Sequence, residues 1–88
     1  MVIGVYGMGL IGGSFCRAIQ RYTDHTVLGA TRNPPTVEFA QSVGAIDGPL
    51  TDLGAVDVCI VALPLEATME FLRSRVHQFR RGAIVLDI

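Results

Sequence analysis

Lysine is missing from this chain altogether, as is tryptophan, and all seven basic residues are arginine. Mechanisms that need a lysine amine, whether as Schiff base or as general base, are therefore closed to it. Charge of either sign is sparse: 17% of residues are charged and the formal net charge is −1. That balance offers no basic surface for nucleic acid or for an anionic membrane, so any anion has to be bound locally. The two cysteines cannot complete a metal site alone; Cys16 in a helical segment and Cys59 inside an apolar run read as reduced core residues. The longest apolar run, Val58 to Leu65, is far shorter than the ~20 residues of a membrane span. With no targeting segment read ahead of Val2, a cytoplasmic location is expected. His25 sits in a polar Thr-Asp-His-Thr turn and His77 among arginines, so both read as surface residues, and no catalytic or metal-ligating residue is assigned.

Apolar residues and glycine are what the chain has. Half of the 88 residues are hydrophobic and ten are glycine, which suits a single α/β domain whose sheet is covered on both faces. The most informative stretch is Val2-Ile3-Gly4-Val5-Tyr6-Gly7-Met8-Gly9-Leu10-Ile11-Gly12-Gly13-Ser14, an apolar strand that runs straight into a G-x-G-x-x-G turn. In that pattern Gly7 makes the turn off the strand, Gly9 lets backbone approach a pyrophosphate, and Gly12 lets the following helix pack close to the sheet. The helix is marked by Leu10, Ile11, Phe15, Ala18, Ile19 and Tyr22 at helical spacing. Its first N–H groups and its dipole would favour an anion.

Further along, Thr23-Asp24-His25 reads as a turn and Thr26 to Ala30 as a second strand, ended by Thr31-Arg32-Asn33-Pro34-Pro35. Thr36 is the expected N-cap of a short helix, Val37 to Val43, closed by Gly44. Ala45-Ile46 is the expected third strand and Asp47-Gly48-Pro49 a turn. Thr51 or Asp52 starts a helical turn, and Asp57 to Leu63 is a central parallel strand ended by Pro64. Leu65, Met69, Leu72, Val76 and Phe79 recur at helical spacing, with a break near Ser74; Arg80-Arg81-Gly82 closes the helix and Ala83 to Ile88 is the fifth strand. Strands alternating with helices, joined by right-handed crossovers, predict a Rossmann-type doubly wound parallel sheet of order 3-2-1-4-5. The chain is expected to be a fragment, truncated after the fifth strand.

Gly7-Met8-Gly9-Leu10-Ile11-Gly12-Gly13-Ser14 resembles the G-x-G-L-I-G-G-S signature of the prephenate and arogenate dehydrogenases of tyrosine biosynthesis. Gly44-Ala45-Ile46-Asp47 resembles their G-A-I-D element, Asp57-Val58-Cys59-Ile60-Val61-Ala62-Leu63-Pro64 their D-x-V-I-x-A-x-P strand, and Gly82-Ala83-Ile84-Val85-Leu86-Asp87 their G-x-I-V-x-D strand. The resemblance implies oxidative decarboxylation of a small-molecule substrate, prephenate or arogenate, with hydride passing to a nicotinamide. It also implies that the substrate-polarising histidine, an S-V-K element and a helical substrate and dimerisation domain follow Asp87, so that residues 1–88 are the cofactor half of a homodimeric enzyme and inactive alone. The glycine spacing is shared by other two-domain dehydrogenases, of the 3-hydroxyisobutyrate, 6-phosphogluconate and pyrroline-carboxylate types. A module that senses NAD(P) without turning it over is the alternative of a different class.

The expected cofactor site comprises Gly7, Gly9, Leu10, Ile11, Gly12, Thr31, Arg32, Asn33, Leu63 and Pro64. At the end of the second strand an NAD-specific domain usually carries Asp or Glu for the adenosine ribose. Here Thr31 stands at that position and can donate a hydrogen bond, while Arg32 can present its guanidinium fork to a 2′-phosphate, so NADP is favoured over NAD. Pro64, with the neighbouring Leu63 and Leu65, is placed beside the nicotinamide ribose or the adenine edge, with packing at a strand end as the alternative reading.

Overall fold

Val2 to Tyr6 sorts its side chains by strict alternation. Ile3 and Val5 enter one apolar cluster, with Cys16, Val27, Ala40, Ala45, Ile46 and Ile60, while Val2 and Tyr6 pack against a second, with Leu50, Leu53, Val56, Cys59, Val61 and Phe71. A strand whose two faces are both buried has no polar side, which is why these segments read as nearly unbroken apolar runs. The computed structural model describes all residues, 1–88. In chain order it contains β1 (Val2–Tyr6), α1 (Leu10–Tyr22), β2 (Thr26–Ala30), α2 (Pro34–Ser42), β3 (Gly48–Pro49), a 3-10 turn (Leu53–Ala55), β4 (Val58–Val61), α3 (Leu65–Arg75), a second 3-10 turn (Val76–Gln78) and β5 (Ile84–Asp87). The sheet order is β3-β2-β1-β4-β5 and every pairing is parallel. This is the Rossmann-type sheet that the sequence predicts. No helix is long and apolar enough to cross a membrane.

Four local expectations are corrected. First, α2 starts at Pro34 with Asn33 as its N-cap, not at Val37 with Thr36. The prolines open the helix because its first turn needs no N–H donors and their φ is already helical. Second, β3 is Gly48–Pro49, not Ala45-Ile46, and the expected turn is part of the sheet edge. The Asp47 and Leu50 N–H groups donate to the Val27 and Gly29 carbonyls at 2.8 and 2.7 Å, and Pro49 is tolerated because its missing donor faces no neighbour on an edge strand. Third, α1 buries Gly12 and Cys16, leaving Leu10, Ile11, Phe15 and Tyr22 exposed. Fourth, α3 buries Thr68 and Phe71, while Leu65, Met69 and Val76 are exposed. The helix break falls at Arg75–Val76, one residue past the expected position.

Each face of the sheet holds one cysteine, and burial pushes both thiols up to about 11. At the N-terminal edge, two carboxylates take up strand-end donors. Asp57 accepts the Val2 N–H at 2.7 Å and pairs with Arg80, and Asp47 accepts the Val27 N–H at 2.7 Å. The Val2 N–H first, and the Arg80 guanidinium second, hold the Asp57 carboxyl below its ordinary value.

Candidate functional site

The opposite, C-terminal edge of the sheet gathers three loops, which leave β1, β2 and β4 at Gly7–Gly9, Thr31–Asn33 and Ala62–Pro64. Gly7 turns the chain off β1 at φ +104°, with its N–H donating to the Ala30 carbonyl at 2.7 Å. A side chain at Gly7 would meet the Ala62 carbonyl, and one at Gly12 would fall on the Gly7 carbonyl oxygen. These two glycines therefore set the close approach of α1 to the strand ends. Gly9 differs, because a Cβ there would meet no atom within 4 Å. The space it faces is open, as a cradle for an approaching anion requires.

The helix that follows is left without a cap. Gly9 is the N-cap of α1, no side chain bonds to the first turn, and that turn contains no acidic residue. The first intrahelical bond is Gly13 N–H to the Gly9 carbonyl at 2.8 Å, so the N–H groups of Leu10, Ile11 and Gly12 have no partner within the helix. Asn33 and Pro64, which begin α2 and α3 on the same edge, also make no side-chain cap. Of the two 3-10 turns, the one before β4 is capped by Asp52, which accepts the Gly54 N–H at 2.9 Å, and the one after α3 has no side-chain cap. On this edge α1 and α3 start with free N–H groups, whereas α2 opens on Pro34 and Pro35, which have none. With no acidic residue in its first turn, where α3 carries Glu66, α1 is the start that suits a phosphate-bearing ligand.

Two cavities share this edge and meet at Leu63 and Pro64. One, of about 400 Å³, lies between Gly9–Gly12 and Ala62–Pro64, with Ile88 at its side. The other, of about 470 Å³, runs from Thr31 and Arg32 across Tyr6 to the α3 wall at Ala67, Glu70, Phe71, Ser74 and Arg75. Of the residues expected from sequence, Gly9, Leu10, Ile11 and Gly12 line the first, Thr31 and Arg32 the second, and Leu63 and Pro64 both. Gly7 lies beneath them as the turn itself. Asn33 lines neither cavity and stands at the start of α2. A further apolar cavity of about 460 Å³ between α1 and α2 reaches the glycine turn from the side, with Arg17 as its one charged residue.

The structure adds residues that sequence reading misses. Arg75 donates to the Tyr6 hydroxyl at 3.0 Å, and its guanidinium lies 5.4 Å from the Tyr6 ring centroid and 5.8 Å from that of Phe71. Tyr6 and Phe71 themselves pack with ring centroids 4.4 Å apart and planes tilted by 42°. The sequence signal is slight: one aromatic residue ending an otherwise aliphatic strand, and a Phe-to-Arg spacing of one helical turn. Thr68, buried in α3, donates its hydroxyl proton to the Leu63 carbonyl at 3.1 Å and its N–H to the Pro64 carbonyl at 2.9 Å, which fixes the loop between the two cavities.

Neither histidine is near this edge. His25 receives the N-terminal amine at 3.1 Å on its Nδ1, at the start of β2, and His77 lies in the turn after α3, on the way back to the start of β5. No three His, Cys, Asp or Glu side chains come together. The edge is equipped to bind an extended anionic ligand and to position it, and Glu70 is the one carboxylate side chain that lines its two cavities.

Comparison with known proteins agrees with this geometry. The family model described as NADP oxidoreductase, coenzyme F420-dependent, matches residues 2–88. An arogenate dehydrogenase structure from Synechocystis is 28% identical with a TM-score of 0.91, over 100% of this chain and 32% of that one. A prephenate dehydrogenase from A. aeolicus, solved with hydroxyphenyl propionate and NAD+, is 22% identical with a TM-score of 0.89, over 99% of this chain and 32% of its own. A Bacteroides fragilis structure described as an NADP oxidoreductase is 22% identical with a TM-score of 0.78, over 98% and 34% of the two chains. At that identity the last two share the fold. The chain spans about a third of the length of these neighbours. No curated protein matches it.

Proposed function

Because the chain belongs to the NADP oxidoreductase, coenzyme F420-dependent family and is an NAD(P)-binding Rossmann domain of oxidoreductase type, we propose that it is the dinucleotide half of a prephenate or arogenate dehydrogenase. The observation that carries this reading is the uncapped start of α1, built from Gly9-Leu10-Ile11-Gly12-Gly13-Ser14, in a chain 28% identical along its whole length to an arogenate dehydrogenase. The open space at Gly9 and the free N–H groups of Leu10, Ile11 and Gly12 fit a pyrophosphate, and the cavities on either side of Leu63-Pro64 fit the two nucleoside arms. When bound, a nicotinamide supplies a hydride acceptor. The part played by residues 1–88 is to bind and orient it; the substrate, its base and a dimer contact come from polypeptide outside them.

NADP is the favoured cofactor in this reading. Thr31 brings no negative charge to the end of β2, and Arg32 has no carboxylate partner, since the single ion pair of the chain is Arg80–Asp57. A phosphate on Arg32 contributes about 1.5–3 kcal/mol, roughly tenfold to a hundredfold in affinity. Fluorescence titration tests it: NADPH is to bind more tightly than NADH, Arg32→Ala is to level the two, and Thr31→Asp is to reverse the preference. Equal wild-type affinities defeat the NADP assignment. For the activity, prephenate and arogenate are assayed with residues 1–88 alone and with the polypeptide extended downstream. Turnover is expected from the longer chain only, and an extended chain that oxidises neither substrate defeats the proposal.

A further inference from the structure

The larger of the two crevice cavities carries opposite charges that do not pair with each other. Arg75 and Glu70 stand on its α3 wall and Arg32 at its β2 mouth, yet none of the three makes an ion pair. Arg75 is also the most constrained of them. The Tyr6 hydroxyl takes one of its five N–H donors, and the Tyr6 and Phe71 rings lie within 5.8 Å of the guanidinium carbon. Its remaining donors are left for a ligand, with the guanidinium held in place by the hydroxyl and the two rings.

The α3 wall is poorly suited to a phosphate. Glu70 would repel it, and Ala67, Phe71 and Leu63 add apolar surface beside Glu70 and Arg75, where the Ser74 hydroxyl is taken up by the Glu70 backbone carbonyl. A flat heteroaromatic base suits this wall better, with its faces against the apolar side chains and its polar edge toward the charged ones. Adenine presents an amine donor, N6, beside an acceptor ring nitrogen. A carboxylate that only accepts and a guanidinium that only donates complement that order of groups.

Resting on the dinucleotide reading, we infer that Glu70 and Arg75 are specificity-determining residues for the adenine base. Glu70 accepts from the N6 amine, Arg75 donates to the adjacent N7, an acceptor in adenine and hypoxanthine alike, and Tyr6 is a positioning residue that keeps the two from exchanging places. Their contribution is common to NADH and NADPH, because neither contact involves the 2′-position.

The test uses the purified chain titrated with NADH, NADPH and reduced nicotinamide hypoxanthine dinucleotide, in which a carbonyl replaces the N6 amine. Thermal melts check that each variant is folded. Wild type is expected to bind the hypoxanthine analogue about tenfold more weakly than NADH, since its carbonyl meets the Glu70 carboxylate. Glu70→Gln is expected to erase most of that discrimination, because an amide can turn its N–H₂ toward the carbonyl. Arg75→Leu and Tyr6→Phe are expected to weaken NADH and NADPH by the same factor, about tenfold for the first and less for the second. A loss confined to NADPH assigns Arg75 to the 2′-phosphate and overturns the inference. So does a wild type that binds the adenine and hypoxanthine forms equally, or an Arg75→Leu variant that binds as wild type. A wild type that binds none of these dinucleotides overturns the dinucleotide reading itself, together with this inference, whereas the preceding outcomes leave that reading standing.

Discussion

Valine at Gly9 separates a binding role from a structural one, because the structure gives Gly9 and Gly12 of the glycine turn opposite surroundings. A Cβ at Gly9 meets no atom within 4 Å, and the residue sits at φ −73°, which any amino acid adopts. The expected stability loss is that of a poorer N-cap, about 1 kcal/mol, which lowers the melting temperature by ~4–8 °C in a domain of this size. The two valine methyls would nevertheless fill the space in front of the Leu10, Ile11 and Gly12 N–H groups. Charge-assisted hydrogen bonds contribute ~1.5–3 kcal/mol each. Losing two therefore costs ~3–6 kcal/mol, on the order of 10²–10⁴ in dissociation constant. Gly12→Ala is the internal contrast, since its Cβ would fall on the Gly7 carbonyl oxygen. The helix propensity gained, about 1 kcal/mol, is outweighed by overpacking of ~1–3 kcal/mol or more against backbone that cannot rotate away. Thermal melts followed by circular dichroism and NADPH titration at constant salt decide between the outcomes. Normal NADPH binding by a folded Gly9→Val protein would refute the pyrophosphate cradle, and unfolding of Gly9→Val to the same degree as Gly12→Ala would refute the claim that its space is open.

Three further predictions follow from single contacts. Asp57 is held below its ordinary value of 3.8 by the Val2 N–H and by Arg80, so its contribution is present above the unfolded-state value and is lost as pH falls through the lower folded one. In urea denaturation the stability gap between wild type and Asp57→Asn should accordingly be constant near neutrality and shrink below about pH 4, and a gap independent of pH would count against the contact. Cys16 and Cys59, buried and raised to about 11, should resist a disulfide reagent at pH 8 in the native protein and react fully in denaturant; rapid native labelling would contradict the core assignment. Thr68→Val keeps the side-chain shape but leaves the Leu63 carbonyl without its hydroxyl donor, for an expected loss of about 1–3 kcal/mol in chemical denaturation together with weaker NADPH binding. An unchanged denaturation midpoint would show that the loop is held by other means.

What the sequence by itself determined is the content of short-range rules. The bounds of β2, Thr26–Ala30, follow from an apolar run between a polar turn and two prolines, and the glycine turn announces both the strand before it and the helix after it. Sheet order then follows from the handedness of each crossover, a property of L-amino acids and not of this chain in particular. The faces of α1 and α3 were beyond that reach. Periodicity marks Leu10, Ile11, Phe15 and Tyr22 as one apolar set, but the helix can approach the strand ends only through Gly12, and the residues on that side, Gly12 and Cys16, take the core. The third strand was illegible for a related reason, since two residues have no period and their pairing is made by Asp47 and Leu50 with β2, some 20 residues earlier. The Tyr6–Arg75 contact spans 69 residues of sequence. No local pattern encodes it, because it exists only once β1 and α3 lie across one face of the sheet and leave a guanidinium and a hydroxyl at hydrogen-bonding distance.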